Sequence, residues 1–327
     1  MQNELASVDN VQCRSVAKII KTHGVPKDEE DTSIQSLATD ELANFYLLLV
    51  AICHQTQSLC GTVDGVGKRG WDYLRLKLLD SVERDRSILT REFWGDLTPD
   101  ALGDLFRDPT KGSTLSGVEE RVALVHDLAT RYSALQIDSI QRVYEQSGGC
   151  VSRDDKGLLV RLNSFRAFAD PVQKKSFFFL GLMGNTGSWS YVDAEGIGAP
   201  VDYHEVRGHL RLGTVRLSTD IEVKIRAMEP VSQSEDVAIR AAVAAAISLV
   251  AKDVSCTPMQ LHYLFWNLFR NVCVRDNPHC FEIGANAGLP ERYNRLLEKQ
   301  CCPLNSICIS AGNSNGLIEH SFTTDWY

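Results

Sequence analysis

The sequence predicts a mostly α-helical fold, and three observations carry that expectation. Apolar residues recur at helical spacing in long blocks, most clearly over residues 40–50 and 117–132. Helix-entry chemistry is explicit at Thr98-Pro99-Asp100, where Thr98 is placed to cap and Pro99 falls at the first helical position. Strand signals are confined to two short stretches, 214–217 and 222–225.

Residues 1–35 read as an arm and linker: a weak helix over 11–22, then the charged string Lys27-Asp28-Glu29-Glu30-Asp31-Thr32-Ser33. Residues 36–165 read as a helical lobe. Its apolar run over 45–53 ends abruptly in His54-Gln55-Thr56-Gln57, and a loop follows over 64–71. Residues 136–170 are mixed, with a loop at Gly148-Gly149-Cys150. A second helical lobe, 166–272, carries helices over 174–183, 202–212, 235–252 and 258–273. Residues 273–327 form a cysteine-rich segment with one more helix over 290–299. No internal repeat is apparent.

A chain of 327 residues is long enough for one large domain or two packed lobes. The longest apolar runs, 45–53 and 241–251, fall short of the roughly 20 residues a membrane helix needs, so no membrane partner is expected. The opening MQNELASVDN has no apolar core and is not a secretory signal. Six of the ten cysteines follow residue 255, which points to a local metal site in a reducing compartment, cytoplasmic or nuclear. A net charge of −8 argues against a chain built for bulk DNA phosphate and towards a small nucleoside or nucleotide.

Asp202 opens a helix after Gly198-Ala199-Pro200-Val201 and is followed by Tyr203 and His204, candidate substrate contacts. In N-glycosidic cleavage a carboxylate so placed stabilises positive charge on the sugar; the alternative is a plain helix cap. Lys174 and Lys175 open another helix, against its macrodipole, where one could hold a phosphate or form a Schiff base; the alternative is a solvated pair. His54 and Gln55 end a core helix with groups able to read a base edge, or simply form its C-terminus. Trp71 and Trp189 are candidate stacking partners for a base, or core aromatics. Cys273-x6-Cys280 and Cys302-x5-Cys308 suit a [4Fe–4S] centre or a zinc ion, with His279 and Cys301 as spare ligands; the alternative is a set of buried thiols.

The cysteine spacing resembles the C-x6-C-x2-C-x5-C loop of the endonuclease III and adenine-mismatch glycosylase branch of the helix-hairpin-helix glycosylases. The outer spacings match, whereas 21 residues separate Cys280 from Cys302 where that branch has two. Val201-Asp202-Tyr203-His204 is similar to that superfamily's catalytic Asp segment, Lys175-Ser176 to its Lys-Thr position, and residues 48–57 to its Leu-Leu-x-x-x-Leu-x-x-Gln-x-Thr helix. The hairpin Leu-Pro-Gly-Val-Gly is replaced by Asp170-Pro171-Val172-Gln173. Over residues 37–270 the chain also resembles the queuosine salvage proteins, which release queuine from queuosine 5′-phosphate. Asp202–Gly213, Glu235–Ala241 and Leu264–Asn267 carry that likeness. Those proteins have Asn-Phe-x-Phe-Trp where this chain has Cys53-His54-Gln55-Thr56-Gln57, and they lack the cysteines.

The resemblances imply a two-lobed helix-hairpin-helix DNA-glycosylase-like fold with a cleft between the lobes. They imply an N-glycosidase in which Asp202 is the catalytic acid and Lys174 or Lys175 an active-site lysine. The implied partner is a modified nucleotide or nucleoside, with nucleic acid as the alternative. A four-iron cluster, or zinc, would be held by Cys273, Cys280, Cys302 and Cys308.

Overall fold

The structure is a computed structural model and describes residues 4–26, 34, 36–153, 155–283, 288–293, 300–313 and 316–327. It is mostly helical, and among the described residues its strands form only two-stranded antiparallel pairs. The chain divides into two compact units: Met1–Glu29 with Ile197–Thr323, and Glu30–Gly196 with Thr324–Tyr327. These bounds differ from the expected lobes 36–165 and 166–272, and neither end of the chain stands apart as a separate segment.

The N-terminal segment is part of a core and not the free arm expected. Strand β1 (Ala6–Val8) pairs with Val215–Leu217, and α1 (Asn10–His23) follows. Asp9 caps α1, its Oδ1 accepting from the amides of Val11 and Gln12 at 3.0 and 2.9 Å. Cys13, Val16, Ala17 and Ile20 form one buried stripe at i, i+3, i+4, i+7.

The second unit is built around α2 (Thr39–Ala51), buried on every side from Leu42 onward, as an all-round apolar helix must be. Its one polar core residue, Asn44, is fully matched. It donates to the carbonyls of Leu89 and Asp138 and accepts from the Tyr132 hydroxyl and the Ile140 amide. Where the sequence was read as helix and loop, a β-hairpin joins β2 (Cys60–Val63) to β3 (Val66–Arg69). Its turn residues Asp64 and Gly65 have φ of 50° and 75°, the two positive values a two-residue hairpin demands. Next come α3 (Gly70–Arg84), α4 (Arg91–Asp96) and α5 (Pro99–Leu105), the last capped by Thr98 as expected. The small pair β4 (Arg107–Asp108) and β5 (Gly112–Ser113) precedes α6 (Val118–Leu135), α7 (Gln141–Ser147), α8 (Leu158–Leu162) and α9 (Lys174–Asn185). Helices α3, α6, α7 and α9 all pack on α2.

The chain then returns to the first unit with α10 (Tyr203–Leu212), β6 (Val215–Leu217), α11 (Thr219–Arg226), α12 (Gln233–Val254) and α13 (Pro258–Asn271). Residues 222–225, expected as strand, belong to α11. Ile221 and Ile225 bury at i, i+4, with acids in its first turn and bases in its last. Helix α12 is the centre of this unit, and α1, α10, α13, β1 and β6 pack on it. Each fully buried Val, Ile or Phe there, such as Val243, Ile247 and Phe265, contributes about 1.5–3 kcal/mol. Of the helix expected over 290–299, residues 291–293 form a 3-10 turn and 294–299 lie outside the described residues. Among the described residues no helix is long and apolar enough to cross a membrane.

Candidate active-site groups

The sequence-predicted residues fall into separate groups, each within one unit. In the first unit, buried Ala199 and Val201 anchor the approach to α10, and Asp202 is its N-cap. Its Oδ1 accepts from the His204 and Glu205 amides at 2.8 and 3.3 Å. Its Oδ2 accepts from the Trp266 indole of α13 at 3.0 Å. Asp202 is therefore a cap, and it is more than one. A cap needs a single oxygen, whereas here an indole from another helix fixes the second, and only 8% of the residue is exposed. Three N–H donors and the positive end of α10 face its carboxylate.

Tyr203 and His204 sit beside it with ring centroids 4.2 Å apart. Burial pushes the Tyr203 hydroxyl above its usual range, with the Asp202 charge adding to the effect. Burial also lowers His204 to about 4, so its ring is neutral at pH 7. The Arg207 guanidinium donates to His204 Nδ1 at 2.8 Å, which puts the ring proton on Nε2. Arg207 is itself pinned by Glu319 at 3.0 Å and by the carbonyls of Phe269 and Cys273. Glu205 is fully buried, and its Oε1 accepts from His262 Nδ1 at 2.8 Å.

Cys273, Cys280, Cys302 and Cys308 line one cavity, with Gly208, Arg211, Phe269 and Leu304 among its other walls. Cys301 and His279 are not among the lining residues, which singles out Cys302 of the two adjacent thiols. Burial first, and then the neighbouring cysteines, push Cys302 up to about 12 and Cys308 up to about 11. Arg211 fastens α10 to this segment, donating to Cys273 Sγ at 3.5 Å and to the carbonyls of Val274, Arg275 and Leu317. Among the described residues no three His, Cys, Asp or Glu side chains are grouped so as to hold a single metal ion.

In the second unit, Lys174, Lys175, His54 and Gln55 come together at the C-terminal end of α2. Lys175, with no exposed surface, donates to the Ala51 carbonyl at 2.6 Å, and buried Arg121 donates to the carbonyls of Ile52 and His54. Both cations thus cap orphan carbonyls of α2. Burial lowers Lys175 to about 7, against a pull upward from Cys53, so a large fraction is a free amine near neutrality. Lys174 donates to Cys53 Sγ at 3.6 Å and lies 5.1 Å over Phe178, which meets Trp71 edge-on at 4.7 Å. His54 is 1% exposed with neither ring nitrogen hydrogen-bonded, and burial with Lys175 nearby lowers it to about 2. Gln55, at φ 46°, donates to the Thr324 carbonyl.

Trp189 does not join this group. It is stacked on Tyr144 at 4.5 Å, donates to Gln141 and is packed in the core, so its ring is not open to a base. The Asp170 carboxylate accepts from the amides of Val172 and Lys174 at 3.0 and 2.9 Å.

Trp266, Arg207, Glu205, His262 and Arg121 were not singled out from sequence. Trp266 lay within a quoted motif, but nothing local signals that its indole meets a residue 64 positions earlier. Arg121 sits on a helix face whose burial only tertiary packing reveals.

No family model and no curated protein matches the chain. Among solved structures, an 8-oxoguanine DNA glycosylase from Pyrobaculum aerophilum in complex with 8-oxoguanosine aligns at 15% identity and a TM-score of 0.39, over 89% of this chain and 87% of its own.

Proposed function

We propose that the chain is an N-glycosidase whose catalytic carboxylate is Asp202. The observation that carries this reading is the double anchoring of that side chain, with one oxygen on the α10 amides and the other on the Trp266 indole in a mostly buried setting. As the C1′–N bond breaks, its electron pair leaves with the base and positive charge grows on the sugar. A pre-oriented anion stabilises that charge without reorganising, and water then adds at C1′ while its proton ends on the departing base.

The substrate proposed is a 7-deazaguanine nucleotide or nucleoside of the queuosine type. Occupation of the Val172 and Lys174 amides by Asp170 favours it over duplex DNA, as does the net charge of −8. Incubation with queuosine 5′-phosphate is expected to release queuine, and D202N to abolish the release. Base loss from duplex DNA carrying uracil or 8-oxoguanine, with no queuine released, would select the second reading, a base-excision glycosylase. In that alternative Lys175 would form the Schiff base with the abasic sugar, which requires its amine, held on the Ala51 carbonyl with no exposed surface, to be released. Trapping with borohydride tests it directly. If neither substrate reacts, the glycosidase proposal fails.

A metal centre accompanies either reading. The four cysteines that line one cavity would hold it, as a [4Fe–4S] cluster or alternatively as zinc. Such a cluster would brace the end of α10 that Arg211 ties down and supply no step of the reaction. We place the protein inside the cell, cytoplasmic or nuclear, where such thiols stay reduced.

A further inference from the structure

Glu205 departs from the local role its spacing assigns. Asp202-x-x-Glu205 has the pattern of a capping box, in which the third helical residue reaches back to the cap amide. Elsewhere the chain uses that device plainly. Glu41 accepts from the Ala38 amide at 3.0 Å, Glu235 from the Ser232 amide at 2.7 Å, and Gln260 from the Thr257 amide at 3.0 Å. Glu205 instead turns inward to full burial and meets His262.

The result is a two-rung antiparallel ladder between α10 and α13. Asp202 pairs with Trp266, and three residues on in α10 Glu205 pairs with His262, four residues back in α13. The two carboxyl groups have opposite surroundings. Asp202 has three N–H donors, whereas Glu205 has the His262 ring and, more weakly, the Asp202 amide, and its Oε2 has no hydrogen-bond partner. An orphan hydroxyl is far less costly to bury than an orphan carboxylate oxygen. The groups acting on Glu205 are His262 from α13 and Asp202 on its own turn. Burial, the largest influence, raises its pKa, and the Asp202 charge raises it further against the pull of His262 and of the Asp202 amide.

We propose that Glu205 is a positioning residue. Its side chain holds His262, and with it the turn of α13 that keeps the Trp266 indole on Asp202. This rests on the reading of Asp202 as the catalytic carboxylate.

Glu205→Gln and Glu205→Ala separate the possibilities in the full-length protein. The Trp266 indole N–H, observed by 15N labelling and assigned with Trp266→Phe, is expected to stay protected from solvent exchange in E205Q and to exchange faster in E205A. E205Q is expected to rescue most of what E205A loses, a fall of about tenfold in kcat at unchanged KM. A carboxyl whose folded pKa is raised contributes stability below its unfolded value that is lost as pH climbs through the folded value. Wild type should therefore lose stability relative to E205Q as pH rises above 4.5. Should E205A fail to fold, His262→Phe replaces it, with the same loss of indole protection expected. Equal damage in E205Q and E205A, or identical pH dependence of wild type and E205Q, overturns the proposal. The indole and pH readouts need no turnover, so their failure is distinct from an inactive protein, which would sink the glycosidase reading instead.

Discussion

Replacing Asp202 by Asn removes the charge and nearly nothing else. Asn is as good an N-cap as Asp, so its carbonyl oxygen can still accept from the His204 and Glu205 amides. The group facing Trp266 then becomes an amide NH2, and two donors oppose each other where an acceptor met the indole at 3.0 Å. A buried donor left unsatisfied costs about 1–3 kcal/mol, and loss of the anion at the helix start about 0.3–1 kcal/mol more. D202N should therefore fold, with stability lowered by roughly 1.3–4 kcal/mol from those two effects. The rate should fall much further than substrate binding. Losing a pre-oriented electrostatic group of this kind costs about 3–4 kcal/mol in the transition state, or a factor of about 10²–10³ in kcat. Denaturant melts report the first quantity and single-turnover base release the second. A D202N enzyme that is less stable by the expected amount yet releases base at the wild-type rate would show that Asp202 only caps α10.

Three further outcomes are expected. Lys175 is lowered from 10.5 to about 7, so between those values the unfolded chain binds the extra proton, and wild-type stability should gain on that of Lys175→Met as pH rises across that window, by at most about 1.4 kcal/mol per pH unit; parallel melting curves from pH 7 to 10 would refute it. Cys302→Ser should lower iron and acid-labile sulfide in anaerobically purified protein and bleach its visible absorbance, and equal metal content in variant and wild type would exclude Cys302 as a ligand. Gly208→Ala would bring its Cβ to 2.2 Å from the Phe269 ring, which is stacked on Phe265, so a destabilisation of about 1–3 kcal/mol is expected in thermal melts.

The helices were legible because their signals are local: the Thr98-Pro99 entry, the apolar stripe of α1 and the continuous apolar run of α2 all survive in the structure. The hairpin over residues 60–69 was missed although Asp64-Gly65 announces it, because the flanking strands are only four residues each and one is largely exposed. Residues 222–225 alternate like a strand, yet the burial of Ile221 with Ile225 follows a helical period. The site was legible in kind and not in partnership. Asp202, Lys175 and the cysteines stand out by residue type and spacing. Trp266, His262 and Arg121 matter only through contacts that bridge tens of residues.

The order in which the two units are assembled along the chain bears on biosynthesis. Met1–Glu29 belongs with Ile197–Thr323, so the stripe of Cys13, Val16, Ala17 and Ile20 emerges long before α12, the helix that covers it. At translation rates of about 5–20 residues per second, that surface waits on the order of 10–50 s for its cover. The intervening unit is synthesised during the wait and lacks only its last four residues. A nascent chain stalled before α12 would offer a sticky amphipathic helix at its leading end, a natural handle for holdase chaperones.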